Sequence, residues 1–237
     1  MVDILNLALP YFGLIFIGFA CGKTRGLPES GLAWMNFFLL YVSLPALLFR
    51  IMSEKPFSEL NNPPFLIATT LATVSAFILA VVASRIIGEL SLRKATMAGL
   101  AGAYGNIGYM GPGLALAVLG AKAAAPTALF VLGVTVALRP FDRVPWEVPG
   151  VIAIKLLVHP LIVFGLMLLF GPFAQPWAAT AVLMASLPPA LNVFVIARQN
   201  DAWIESASVA VLLGTFASVV TLTTVMWLLQ TGRLAFP

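Results

Sequence analysis

The chain alternates long apolar runs with short polar or Pro/Gly breaks. Eight runs stand out, at 4–22, 32–52, 64–87, 95–120, 124–138, 148–170, 177–197 and 202–229. A hydrocarbon core about 30 Å thick takes about 20 mostly apolar residues per spanning helix, so the pattern predicts an all-α polytopic membrane protein with about eight transmembrane helices. No hydrophilic domain separates the runs. The fourth and fifth are parted only by 120–126, where Gly120, Lys122 and Pro126 mark a tight hairpin. The first run follows Met1-Val2-Asp3 with no basic residue and exceeds a signal-peptide core, so an ordinary first helix is expected.

Three runs contain prolines or glycines where a plain anchor needs none. They carry Ser43-Leu-Pro45-Ala-Leu-Leu-Phe49 in run two, Gly105-Asn-Ile-Gly-Tyr-Met-Gly-Pro112 in run four and Ser186-Leu-Pro-Pro189-Ala-Leu-Asn192 in run seven. An interior proline lacks the N–H that would bond the carbonyl four residues back, so it frees that carbonyl at membrane depth. Such groups persist only where protein or a wet cavity satisfies them. Run five opens on Ala125-Pro126-Thr-Ala-Leu-Phe130, an echo of run two. Runs two to four then correspond to runs five to seven. A lag of three spans is odd, so the two copies cross the membrane in opposite senses: an inverted repeat, with halves at 1–123 and 124–237 and a substrate site between their broken helices.

Composition sharpens this picture. Of 237 residues, 61% are hydrophobic and 9% charged, which excludes a soluble globule. The net charge of +4 is scattered among the breaks, so nucleic acid is not an expected partner. Counting Lys and Arg in alternate breaks puts Lys23, Arg25, Arg85, Arg93, Lys94, Arg139, Arg143 and Arg198 on one side, against Arg50, Lys55, Lys122 and Arg233 on the other. The richer side is the cytoplasmic one, which places both termini on the non-cytoplasmic side of a cell membrane. One cysteine (Cys21) and one histidine (His159) exclude a disulfide pair or a Cys/His metal cluster within the chain, and no metal or cofactor is expected. Nucleophile-elbow, zinc-protease and phosphate-loop motifs are absent, so neither an enzyme nor an ATP-driven pump is expected from this chain alone.

The motifs resemble those of the auxin efflux carrier family, in particular its bacterial permeases. The matching stretches are Phe38-Leu-Leu-Tyr-Val-Ser-Leu-Pro45, Gly105-Asn106 through Pro112, Leu132-Gly-Val-Thr-Val-Ala-Leu138, Lys155-Leu-Leu-Val-His-Pro160 and Leu187-Pro188-Pro189-Ala-Leu-Asn192. The resemblance implies ten helices in two inverted five-helix repeats, with proline-broken fourth and ninth helices crossing at the substrate site and both termini outside. This chain departs from it by joining what look like the first four helices directly to the last four at 123–126.

Candidate chemistry follows. Asn106 and Asn192, with Gly105, Gly108, Pro112 and Pro188, flank the breaks; the amides either donate to a solute carboxylate or satisfy the freed carbonyls. The other glycines of the 99–111 series are expected to serve helix packing. Tyr41 and Ser43, which precede the break at Pro45, either line the same cavity or pack between helices; Pro45 is counted with the candidate site. Lys155 lies about 10 Å inside its run and is expected to snorkel to the interface. His159 lies near the midplane, where it serves as a solute contact, a proton relay or a structural hydrogen-bonding group. The function expected is a secondary transporter for a small solute, a carboxylate fitting the amide-lined breaks. The alternative is an internally deleted, non-transporting membrane protein. Lipid is the expected surroundings, and a homodimer is compatible with the chain.

Overall fold

The computed structural model describes residues 2–25, 29–43, 45–46, 49, 53, 61–108, 110–111, 133–135, 137 and 143–236. Among them the chain is helical. The one bridge of strand type among the described residues joins Gly105 to Pro189. Among the described residues three helices are long and apolar enough to cross a membrane: α3 (Pro63–Ile86), α5 (Val148–Phe170) and α8 (Ile204–Gln230). The others described are α1 (Val2–Arg25), α2 (Glu29–Phe38) continued by a π turn (Leu39–Ser43), α4 (Leu92–Ala103), α6 (Gln175–Ala185) and α7 (Leu191–Gln199).

Local chemistry sets the ends of these elements. At α3, Pro63 and Pro64 occupy the first turn, where a missing N–H costs nothing, and the Asn62 side chain accepts from Phe65 N–H. At its other end Arg85 sits in the last turn, near the negative end of the helix dipole, and donates to Leu90 O. Within α5, Pro160 cannot donate to Leu156 O. The preceding turn widens into a π helix over Ile154–Val158, and His159 N–H bonds Ile154 O. Before α8, Trp203 adopts a left-handed φ of 61° and its indole N–H donates to Glu147 Oε1 at 3.0 Å, which also accepts from Ser206 Oγ at 2.9 Å.

Packing follows small residues. Ala68, Ala72, Ala76, Ala80 and Ser84 recur every fourth position along α3 and form its buried stripe. A stripe of that kind admits close helix approach in a membrane. Gly102 of α4 meets it so tightly that a Cβ there would lie 2.4 Å from Ala80 Cβ. The larger side chains gather in three clusters. One joins α1, α6 and α8 through Phe12, Ile15, Leu183, Val211 and Leu222. A second joins α4, α5, α7 and α8 through Met97, Val151, Phe194 and Trp203. The third joins α3, α5 and α6 through Ala72, Val163, Met167 and Val182. Outward positions are apolar as well, including Ile78, Ile86, Leu161, Leu169 and Val220, as befits a protein bathed in hydrocarbon rather than water.

Candidate functional site

Two interruptions define the centre of the molecule. The helix that begins at Leu92 stops at Ala103 and resumes at Ile107, leaving Tyr104, Gly105 and Asn106 extended or irregular. The helix that begins at Gln175 stops at Ala185 and resumes at Leu191, leaving 186–190 non-helical. The two breaks pair with each other. Asn106 N–H donates to Pro188 O at 2.8 Å, and Ala190 N–H donates to Tyr104 O at 2.9 Å. Backbone groups that no helix could use thus satisfy one another inside the protein, which is what removal from water demands.

The tandem prolines explain the rest of the bonding. Pro188 and Pro189 have no N–H for Met184 O and Ala185 O, their partners in an uninterrupted helix. Met184 O accepts instead from Leu187 N–H at 3.3 Å. Ala185 O accepts from Lys155 Nζ at 2.6 Å. Lys155 therefore does not snorkel: it is fully buried, and its Nζ lies 3.0 Å from His159 Nδ1 one turn further along α5. The expectation failed because distance from a helix end ignores what lies beside the helix. The orphaned carbonyl across the crossing offers the ammonium a nearer partner than the interface does.

Close approach at this point requires glycine. A Cβ on Gly105 would sit 3.2 Å from Met184 O and 3.3 Å from Lys155 Nζ, and α8 presses from behind, where a Cβ on Gly214 would lie 2.6 Å from Pro189 Cδ. Asn106 is buried at 1% exposure, and its amide Nδ2 has no hydrogen-bond partner among the described residues. A buried amide donor left without a partner costs about 1–3 kcal/mol. Asn192 is half-buried and donates from Nδ2 to the Tyr104 hydroxyl at 3.3 Å. Neither side-chain amide serves the carbonyls that Pro188 and Pro189 free.

A cleft of about 640 Å³ lies against the crossing, walled by α3, α4, α5 and α6. Its lining runs along α3 from Phe65 to Phe77 and along α6 from Thr180 to Ala185, so it enters from one end of the helices and stops at the breaks. Tyr104, Gly105, His159, Thr69, Thr73 and Thr180 bring its polar atoms. Each threonine hydroxyl donates back to its own helix, Thr69 to Phe65 O, Thr73 to Thr69 O and Thr180 to Pro176 O, which leaves oxygen lone pairs for the cleft.

The residues singled out in the sequence are therefore placed unequally. Gly105, Asn106, Pro188 and Asn192 meet at the crossing, and His159 lines the cleft beside it. Gly108 is exposed beyond the break. Tyr41 is exposed with its ring 5.1 Å from Phe37 of its own helix, and Pro45 is exposed. Pro112 lies outside the described residues, as do the 123–126 junction and most of run five. Sequence reasoning missed Tyr104 and the cleft threonines. Thr69 and Thr73 share a helix face in an otherwise apolar run, and Tyr104 directly precedes Gly105-Asn106, so both left a trace.

The chain belongs to a family of membrane transport proteins, the one described as "Membrane transport protein", the auxin efflux carrier-like family. The family model matches residues 3–122 and 116–226. In particular, the chain is similar to a protein of Rhizobium meliloti (strain 1021) described as "Putative malonate transporter", at 33% identity over 314 aligned positions covering 99% of this chain and 98% of that protein. Since 314 less 237 is 77, at least 77 of those positions face no residue of this chain.

Proposed function

We propose that this chain is a secondary transporter of a small organic anion, a malonate-like carboxylate, working by alternating access around the crossing of its two interrupted helices. The observation that carries the reading is the crossing itself, where Asn106 gives its backbone N–H to Pro188 O while its side-chain Nδ2 has no partner among the described residues, next to Gly105 of the cleft wall. Amide donors and proline-broken backbone suit an anion at membrane depth. The name of the relative supplies the carboxylate class. In this reading Gly105, Asn106, Pro188, Asn192 and His159 form the site; Gly108, Pro112, Pro45 and Tyr41 belong to its surroundings. The halves 1–123 and 124–237 are inverted repeats of four spans each, and both termini face away from the cytoplasm.

A specific observation favours a second reading. The 77 or more unmatched positions suit two spans with their connections, and the family matches meet at 116–122, next to the 123–126 junction. A chain that has lost two central helices could insert without transporting. Uptake of radiolabelled malonate into proteoliposomes, with other small carboxylates in parallel, decides between the two. Flux that falls with Asn106→Ala supports the transporter; no flux for any carboxylate leaves the non-transporting protein.

A further inference from the structure

Lys155 is fully buried, yet among the described residues the hydrogen-bond partners of its ammonium are neutral: Ala185 O at 2.6 Å and His159 Nδ1 at 3.0 Å. The sequence explains why no carboxylate joins them. All nine acidic residues, Asp3, Glu29, Glu54, Glu59, Glu89, Asp142, Glu147, Asp201 and Glu205, lie in polar breaks or near the ends of apolar runs in the sequence. A buried cation without a counter-ion is costly and is normally paired. The missing charge has a place to come from. Nζ stands directly behind Gly105, 3.3 Å from where a side chain would begin, and Gly105, Ala185 and His159 are all part of the cleft wall. With Nδ1 accepting from Lys155, the His159 ring keeps its N–H on Nε2 as a donor. The π turn that carries Lys155 into this position is a distortion found often at functional sites.

We propose that Lys155 is the charge-determining residue of the site: its ammonium, acting across Gly105, is the counter-ion of a solute carboxylate bound on the cleft floor, and it makes the site select anions over neutral isosteres. The proposal deepens the transporter reading and takes its carboxylate class from it, but it concerns binding and can stand without flux.

The test uses the full-length chain in detergent and in proteoliposomes, with malonate and its neutral diamide, malonamide, as probes. Binding is read from the ligand-induced rise in melting temperature, transport from radiolabelled uptake. Wild type is expected to prefer malonate. Lys155→Met is expected to lose about tenfold or more in malonate affinity and most of its preference over malonamide, and Lys155→Arg to keep the preference. Lys155→Met that is monodisperse and still prefers malonate as wild type does would overturn the proposal, leaving Lys155 a strut for Ala185 O. Should that variant fail to fold, wild type alone decides, since equal binding of malonate and malonamide overturns the proposal as well. Lys155-dependent malonate binding without flux sinks the transporter reading and keeps this one; flux that ignores Lys155 does the reverse; neither flux nor binding sinks both.

Discussion

At the scale of single residues, the centre of this protein is governed by groups that lack something. Pro188 and Pro189 lack N–H groups, Gly105 lacks a side chain, and the Asn106 amide lacks a partner among the described residues. The first deficit is met by Leu187 and Lys155, the second admits the other break, and the third is left open. Asn106→Ala is therefore expected to remain folded, because Nδ2 gives up no hydrogen bond to a described residue. It should weaken carboxylate uptake by about ten- to a hundredfold, the worth of one hydrogen bond to a charged group, in a proteoliposome assay. Gly105→Val is expected to do the opposite kind of damage. A branched side chain directed at Met184 O and Lys155 Nζ must force the breaks apart, so a fall in melting temperature is the outcome to look for.

At the scale of elements, stability rests on small-residue stripes and on one polar clamp. Because α3 and α4 touch through Ala80 and Gly102, Gly102→Leu should cost about 1–3 kcal/mol or more through overpacking, measured by denaturation in detergent. A control at Val82, half-exposed on the far face of α3, should change little when replaced by Leu. The Glu147 clamp holds the start of α5 to the start of α8 through Trp203 and Ser206. Glu147→Ala leaves both donors unpaired, and a loss of about 1–3 kcal/mol is expected. Glu147→Gln keeps an acceptor oxygen and should recover part of it.

At the scale of the whole molecule, the apolar exterior and the three long helices make this a membrane-embedded chain of its transport family. Orientation is a prediction from charge. In a Cys21→Ser background, Gln230→Cys is expected to react with a membrane-impermeant maleimide on intact cells, and Lys94→Cys only after permeabilisation. The reverse labelling pattern would turn the molecule over and place the cleft mouth on the other side. The shortened length is a whole-molecule property too, since its consequence falls on the scaffold around the site rather than on the crossing residues.

Much of this was legible without coordinates. Runs of about 20 apolar residues suit spanning helices, and tandem prolines deny Met184 O and Ala185 O their helical donors, so the sequence by itself determined a helical, membrane-embedded chain, an interruption at Pro188-Pro189 and the asparagines near both breaks; the other break falls at 104–106, with helix resuming at Ile107, ahead of the span expected at 105–112. Periodicity speaks along a helix and says nothing of what lies across from it. Only the tertiary structure decided that Gly105 pairs with Pro189, that Tyr104 meets Asn192, and that Lys155 turns inward. The physical reason is the same in each case: a freed carbonyl or an uncompensated charge must be answered by a group from elsewhere in the chain, and which group that is depends on packing rather than on spacing.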